Sequence, residues 1–296
     1  MTALVHPLKD FAGLALPAAL LVLGLGAIAA QALPPLFQPA AQAYPAPQTV
    51  TLPPGTRDYR VEGHFFIDSA PIDAPMTTIR IAAPLTIMKY QVSAADYAAC
   101  VADGACAAPE PAALGTGNVP ATGISFQDAE AYAEWLSART GQVWTLPTDQ
   151  QWAYAAGSRY ADDALGLADD AANPALRWLA NYRQEAARKR EADPLPHPLG
   201  TFGENENGIA DMAGNVWEWT QTCHRRVHVD AVGAVLSTQP ACTIRVLEGK
   251  HRASVSYFIR DARSGGCSVG LPPDNLGFRL VRQPQWHERL TAFFGA

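Results

Sequence analysis

The chain opens with an uncharged, mostly apolar run from Phe11 to Ala32, preceded by Lys9. A run of about 20 apolar residues matches a bilayer-spanning helix, whereas the apolar part of a secretory leader is about 7 to 15 residues long. The pattern predicts a single-pass inner-membrane anchor, with Lys9 on the cytoplasmic side and the rest of the chain in the periplasm. Ala-Gln-Ala at 30–32, and again at 41–43, offers small residues to a signal peptidase, so secretion after cleavage is the alternative. From Pro34 to Gly55, proline, alanine and glutamine replace large apolar residues, which predicts an extended tether. The expected division is 1–33 anchor, 34–60 linker, 61–283 folded domain and 284–296 tail.

Past the tether the apolar period changes. Three short helices announce themselves by a serine or threonine followed three residues on by Asp or Gln. Ser93 with Asp96 opens "AADYAACVADG", Ser125 with Asp128 opens "FQDAEAYAEWLSARTG", and Thr148 with Gln151 opens "DQQWAYAAG"; Gly104, Gly141 and Gly157 end them. In the second, Phe126, Ala129, Tyr132, Ala133 and Leu136 share one face and should pack inward, leaving Asp128, Glu134 and Arg139 to water. Strand signals are "TIRIAAPLTIMKYQV", a hairpin in "VHVDAVGAVLS", and "LGFRLVR". After Trp152 a long turn-like stretch follows, and so much irregular backbone in a compact domain needs something to hold it.

Composition narrows the function classes. With 24 prolines, 23 glycines and seven tryptophans, the fold should be loop-rich and held by aromatic packing. The net charge of -6, with no basic cluster beyond "RKR" at 188–190, argues against a nucleic-acid partner. Export makes disulfides the default for the five cysteines. Cys100 and Cys106 flank a short loop and should pair. Cys223 and Cys242 lie equidistant from a turn near Val232-Gly233 and should meet across a hairpin; Cys267 is then left over, or takes Cys223 instead.

Two stretches carry candidate chemistry. "GIADMAGNVWEWT" places Glu218 between Trp217 and Trp219, where a buried carboxylate must be protonated or matched by a cation or by hydrogen-bond donors. In "HRRVHVD", His224, His228 and Asp230 alternate onto one strand face, so a two-His-one-carboxylate metal site is conceivable, against the plainer reading of a solvated hairpin.

"ISFQDAEAYAEWLSARTGQVWTLPTDQQWAYAAGSR", then "FGENENGIADMAGNVWEWT", then "PPDNLGFRLVR", in that order, resemble the formylglycine-generating, sulfatase-modifying-factor family across roughly Val61 to Gln283. The resemblance implies an α+β fold of the C-type-lectin-like kind, low in regular secondary structure, with structural calcium. The implied ligands are the Asp211 and Glu218 carboxylates with the Gly214 and Val216 carbonyls. A second calcium site would use Asn181, Tyr182, Glu191 and Asp193. Hard cations of this type take six to eight oxygens.

The same resemblance exposes a departure. The family's oxidase binds copper with two cysteines five residues apart, shortly before "NLGFR", and an ungapped count places those positions at His251 and Ser256. A His/Ser pair cannot reproduce a two-thiolate copper(I) site, so the usual formylglycine chemistry is not expected. The stretch from Arg245 to Arg282 looks most like a membrane-anchored, cysteine-poor branch of accessory proteins encoded beside copper nitrite reductases in denitrifying bacteria. That points to a periplasmic maturation factor binding a protein or peptide client through Lys250, His251, Arg252, Ser256, Tyr257, Arg260 and Arg263. Against this, Arg260 and Arg263 could simply pair with acids such as Glu248 or Asp261. The rival function is a copper or iron oxidoreductase using His251 or the "HRRVHVD" histidines with Cys267.

Overall fold

The computed structural model describes residues 44–109, 114–166, 195–261 and 275–285, together with 176, 179–180, 182–183, 186–187 and 193. The expected anchor, Asn181, Glu191, Arg263, Cys267 and most of the tail lie outside these residues. Two compact units divide the chain, Met1–Tyr44 and Pro45–Ala296, and the second is described here. Among the described residues no helix is long and apolar enough to cross a membrane.

Strands β1 (Thr49–Leu52), β2 (Gly55–Arg60), β3 (His64–Ile67), β4 (Ala70–Ile72), β5 (Met76–Ile81) and β6 (Leu85–Met88) open the unit. The linker expected to reach residue 60 therefore ends by Thr49. Leu52 and Tyr59 supply the reason, because both are buried and give these two strands an inner face that the proline-rich composition around them obscured. Next come helices α1 (Ala94–Ala102) and α2 (Phe126–Thr140), strand β7 (Trp144–Thr145) and helix α3 (Asp149–Ala156). The chain then forms the long strands β8 (Trp217–Val229) and β9 (Val235–Glu248), and the short β10 (Ala253–Ser256), β11 (Leu276–Gly277) and β12 (Val281–Arg282).

Each helix starts on the hydroxyl its sequence predicts. Ser93 Oγ accepts from the Asp96 amide, and Ser125 and Thr148 form full capping boxes with Asp128 and Gln151. Gly141 ends α2 in the left-handed region at φ 67°, a conformation that costs a residue with a Cβ. The α2 face carrying Phe126, Ala129, Tyr132, Ala133 and Leu136 is buried as expected. Asp128 is buried too, contrary to its expected exposure, because Arg260 grips it with two 2.7 Å bonds while it also closes the Ser125 capping box.

One sheet runs β1-β6-β12-β7, a second runs β10-β9-β8-β3-β4 with β11 parallel to the start of β8, and β2 pairs with β5. Trp152 of α3 packs with Leu52, Ile87, Ile209, Met212 and Val281 in one buried apolar cluster, which ties both ends of the described domain to its middle. The β8–β9 hairpin turns at 230–234, where Asp230 Oδ1 accepts the Val232 and Ala234 amides. Both expected disulfides are present: Cys100–Cys106, and Cys223–Cys242 across the hairpin.

The two bridges differ in what they restrain. Their sequence separations are 6 and 19 residues, so chain-entropy reasoning gives about 2 kcal/mol for the first and about 3 kcal/mol for the second. Replacing both members of Cys223–Cys242 by serine should lower stability to chemical denaturation more than the same change at Cys100–Cys106, read from denaturation midpoints.

Candidate functional site

The turn before β8 is unusual backbone. Asp211, Ala213 and Asn215 all have positive φ, at 56°, 58° and 66°. Such residues are stable only where the surroundings fix them. Asp211 accepts the Gly200 and Phe202 amides with its two carboxylate oxygens, and Asn215 clamps the His197 peptide by bonding both its N–H and its carbonyl. The irregular chain preceding this turn is thus held by side chains of the turn itself.

This turn delivers Glu218 into the core at 1% exposure, and its charge is matched by Arg279, which is fully buried. Arg279 Nε donates to Oε2 at 2.6 Å and Nη2 to Oε1 at 2.7 Å. Gln91 Nε2 adds a bond to Oε1 at 2.9 Å, and Trp152 Nε1 one to Oε2 at 2.8 Å. Four donors fill the four lone-pair positions of the carboxylate. The remaining guanidinium hydrogens go to the Met88, Lys89 and Ala210 carbonyls. The pair therefore joins β6, α3, the turn, β8 and the segment after β11.

Both carboxylates implied as calcium ligands at this turn already have hydrogen-bond donors. The Asp211 carboxylate is occupied by backbone amides and the Glu218 carboxylate by an arginine, an amide and an indole. The Asp211 and Gly214 carbonyls do converge with Glu218 Oε1, but on Gln91 Nε2, at 3.3, 3.4 and 2.9 Å. The Val216 carbonyl is not among them. These groups fit a neutral N–H donor beside a guanidinium, and a divalent cation there would stand against the positive charge of Arg279. Of the second set, Asn181 and Glu191 lie outside the described residues and Tyr182 is exposed. Asp193 bonds its own carboxylate to His197 Nε2 at 2.8 Å and to the Leu195 amide.

The "HRRVHVD" groups also fail to form one metal site. His224 is buried edge-on to His64, with ring centroids 4.4 Å apart, while His228 stacks on Phe66 and Asp230 holds the hairpin turn. Among the described residues no group of three His, Cys, Asp or Glu side chains is placed to hold a metal ion.

The expected client-binding residues separate into two kinds. Lys250 sits over the Trp217 ring and is half-buried, as are Ser256 and Tyr257. Gly249 lies flat against the same indole, where a Cβ would come within 2.7 Å of ring carbons. His251 is buried beside Trp217, with Nδ1 2.9 Å from the Arg252 carbonyl. Arg252 is not a surface residue at all. It is 3% exposed, bonded to Glu248 and paired with Asp149, and it lies over the rings of Tyr59 and Tyr160. Arg260 pairs with an acid, Asp128. Asp149, Trp152 and Arg279 lie within the sequence blocks that carry the family resemblance, but nothing in those blocks marks them as partners of Glu218 or Arg252; Gln91 and Tyr160 lie outside the blocks.

Three outcomes follow from the electrostatics. Arg279→Leu leaves Glu218 as a buried unpaired anion and should destabilise the protein by about 3–5 kcal/mol in denaturant titrations. Strong chelation should leave Tm unchanged, and a fall restored by added calcium would show that Gln91 yields its place to a cation. For His224, burial and the neighbouring His64 and Arg226 charges lower the pKa from 6.5 to about 4. The unfolded state then binds the proton more readily, so this group's contribution to stability is present above pH 6.5 and is lost as pH falls towards 4. His224→Gln should flatten that part of the stability profile.

A family model described as "Sulfatase-modifying factor enzyme 1-like domain" matches residues 34–284. The formylglycine-generating enzyme of Mycobacterium tuberculosis is 31% identical over 181 residues, covering 56% of this chain and 58% of that protein. "Inactive C-alpha-formylglycine-generating enzyme 2" of Bos taurus is 27% identical over 191 residues, covering 58% and 54%. The hercynine oxygenase of Mycolicibacterium smegmatis is 34% identical over 109 residues, covering 36% and 22%. The chain thus spans little more than half the length of the first two relatives. Among solved structures, PvdO from Pseudomonas aeruginosa shares the fold with TM-score 0.51 and 21% identity, covering 81% of this chain and 95% of that one. With the three ordered sequence blocks, the mixed sheets and the family match extending over the described domain, the chain belongs to the sulfatase-modifying factor enzyme 1-like domain family.

Proposed function

We propose that this chain is an exported accessory factor that binds a protein or peptide client without the two-thiolate copper chemistry of the formylglycine-generating enzymes. The supporting observation is the use of its cysteines. Of five, four are spent in the Cys100–Cys106 and Cys223–Cys242 disulfides, which leaves at most the thiol of Cys267. A linear copper(I) site needs two soft sulfur ligands. At the positions that correspond by count, His251 is packed beside Trp217, and Ser256 ends the extended β10. An inactive member among the relatives is consistent with a family fold kept for recognition alone.

What remains available for a client is the surface beside Trp217, with Lys250 above the ring and Ser256, Tyr257 and the exposed Phe258 further along. A cation, hydroxyls and aromatic rings suit an extended polypeptide with acidic character. Two disulfides suit an oxidising compartment such as the periplasm. A copper nitrite reductase is the client this reading favours, and the apolar run at 11–32 would tether the factor to the membrane.

The purified protein, loaded with copper and offered a Cys-x-Pro-x-Arg peptide under oxygen, should give no aldehyde above background by mass spectrometry. Mixed with a copper nitrite reductase it should form a complex detectable by light scattering, weakened by Lys250→Glu. Formylglycine in the peptide would contradict the proposal.

A further inference from the structure

Beneath the segment that carries Lys250 and His251 lies a buried charge cluster that the client-binding reading does not use. Asp149, the first residue of α3, and Glu248, the last of β9, are both 0% exposed. Both carboxyl groups reach the same arginine side chain. One guanidinium serves both: Arg252 Nη2 is 3.3 Å from Asp149 Oδ2, and Arg252 Nε donates to Glu248 Oε1 at 3.1 Å. Asp149 Oδ2 also accepts the Tyr59 hydroxyl. Asp149 Oδ1 and Glu248 Oε2 are left with no donor in the heavy-atom structure. Two buried anions held by one cation cannot both stay ionised without a large electrostatic cost, and a shared proton supplies a donor where each has an oxygen left without one.

We propose that Asp149 and Glu248 share one proton, making with Arg252 a neutral clamp that fixes the Gly249–Arg252 segment to the start of α3 and opens when that proton is lost. Among the described residues, Arg252 is the one cation ion-paired with either carboxyl group, and Arg57 lies over the neighbouring Tyr160 ring. Tyr59 lies on β2, and its hydroxyl, held well above its ordinary pKa by burial and by Asp149, stays a donor. Glu62 bonds to Tyr59 and is paired with Arg225. Tyr160 contacts Arg252, Asp163 reaches Arg252 at 3.4 Å, and Asp162 is paired with Arg60. Across the strand pair from Glu248, Glu218 is saturated by Arg279. Burial, and then Asp149, raise the pKa of Glu248 well above the ordinary carboxyl range.

The sign follows from linkage. A carboxyl group whose folded pKa is raised binds its proton in the folded state only, from the unfolded value near about 4.3 up to the folded value. Its contribution is complete below that range and is lost as pH rises to the folded pKa. In Glu248→Gln the amide keeps an oxygen for Arg252 and gives Asp149 a permanent N–H donor. Wild type and Glu248→Gln should then differ in the pH slope of the folding equilibrium by one proton, about tenfold per pH unit above the unfolded carboxyl pKa until the clamp ionises. Infrared spectra of the wild type in deuterated buffer at neutral pH should show a protonated-carboxyl carbonyl band that Glu248→Gln lacks. Identical pH slopes in the two proteins would overturn the proposal. Should the variant fail to fold, the wild-type spectrum decides alone, and absence of the acid band at neutral pH sinks the shared proton.

Discussion

The ion pair of Glu218 and Arg279 is the constraint on which the rest of the domain depends. A bare carboxylate and a bare guanidinium each cost several kcal/mol to bury, so both must be fully bonded before the core can close. Here the acid receives four donors and the arginine's hydrogens go to the acid and three carbonyls. Those partners come from β6 and the residues just after it, from α3, from Ala210 just before the turn, and from the segment after β11. None of them can shift without leaving a buried polar group unmatched, which is how a chain low in regular secondary structure keeps a single arrangement.

Around that pair, side chains take over work that secondary structure does elsewhere. Arg159 bonds the Phe202, Gly203 and Glu204 carbonyls, Asn205 bonds the Ala155 and Ala156 carbonyls, and Asp211 bonds the Gly200 and Phe202 amides. Irregular backbone is tolerable inside a compact domain when its polar groups are satisfied this way. The same logic places Lys250 and His251. They sit on a segment anchored from below by Arg252 and flattened against Trp217 by Gly249, so the surface offered to a client is fixed by groups that never reach it.

Local signals in the sequence were legible where the physics is local. Ser93, Ser125 and Thr148 cap helices because each needs only a donor three residues away, and Cys223 meets Cys242 because a turn at Gly233 sets the register. Glu218 could be recognised as a carboxylate needing a partner, but Arg279 lies 61 residues away in sequence and nothing short-range marks it. Arg252 read as a surface cation because its neighbours Lys250 and His251 are polar; only the fold shows Asp149 and Glu248 beneath it. Strands β1 and β2 were hidden for the opposite reason, since their few buried residues are diluted by proline and glycine.

The functional account rests on the claim that this family member keeps the scaffold while holding at most one thiol. Alkylation of the unreduced, denatured protein, followed by mass spectrometry, counts free cysteines directly. The account predicts no more than one alkylated cysteine per chain, with Cys100–Cys106 and Cys223–Cys242 recovered as linked peptides; two or more alkylated cysteines per chain would contradict it.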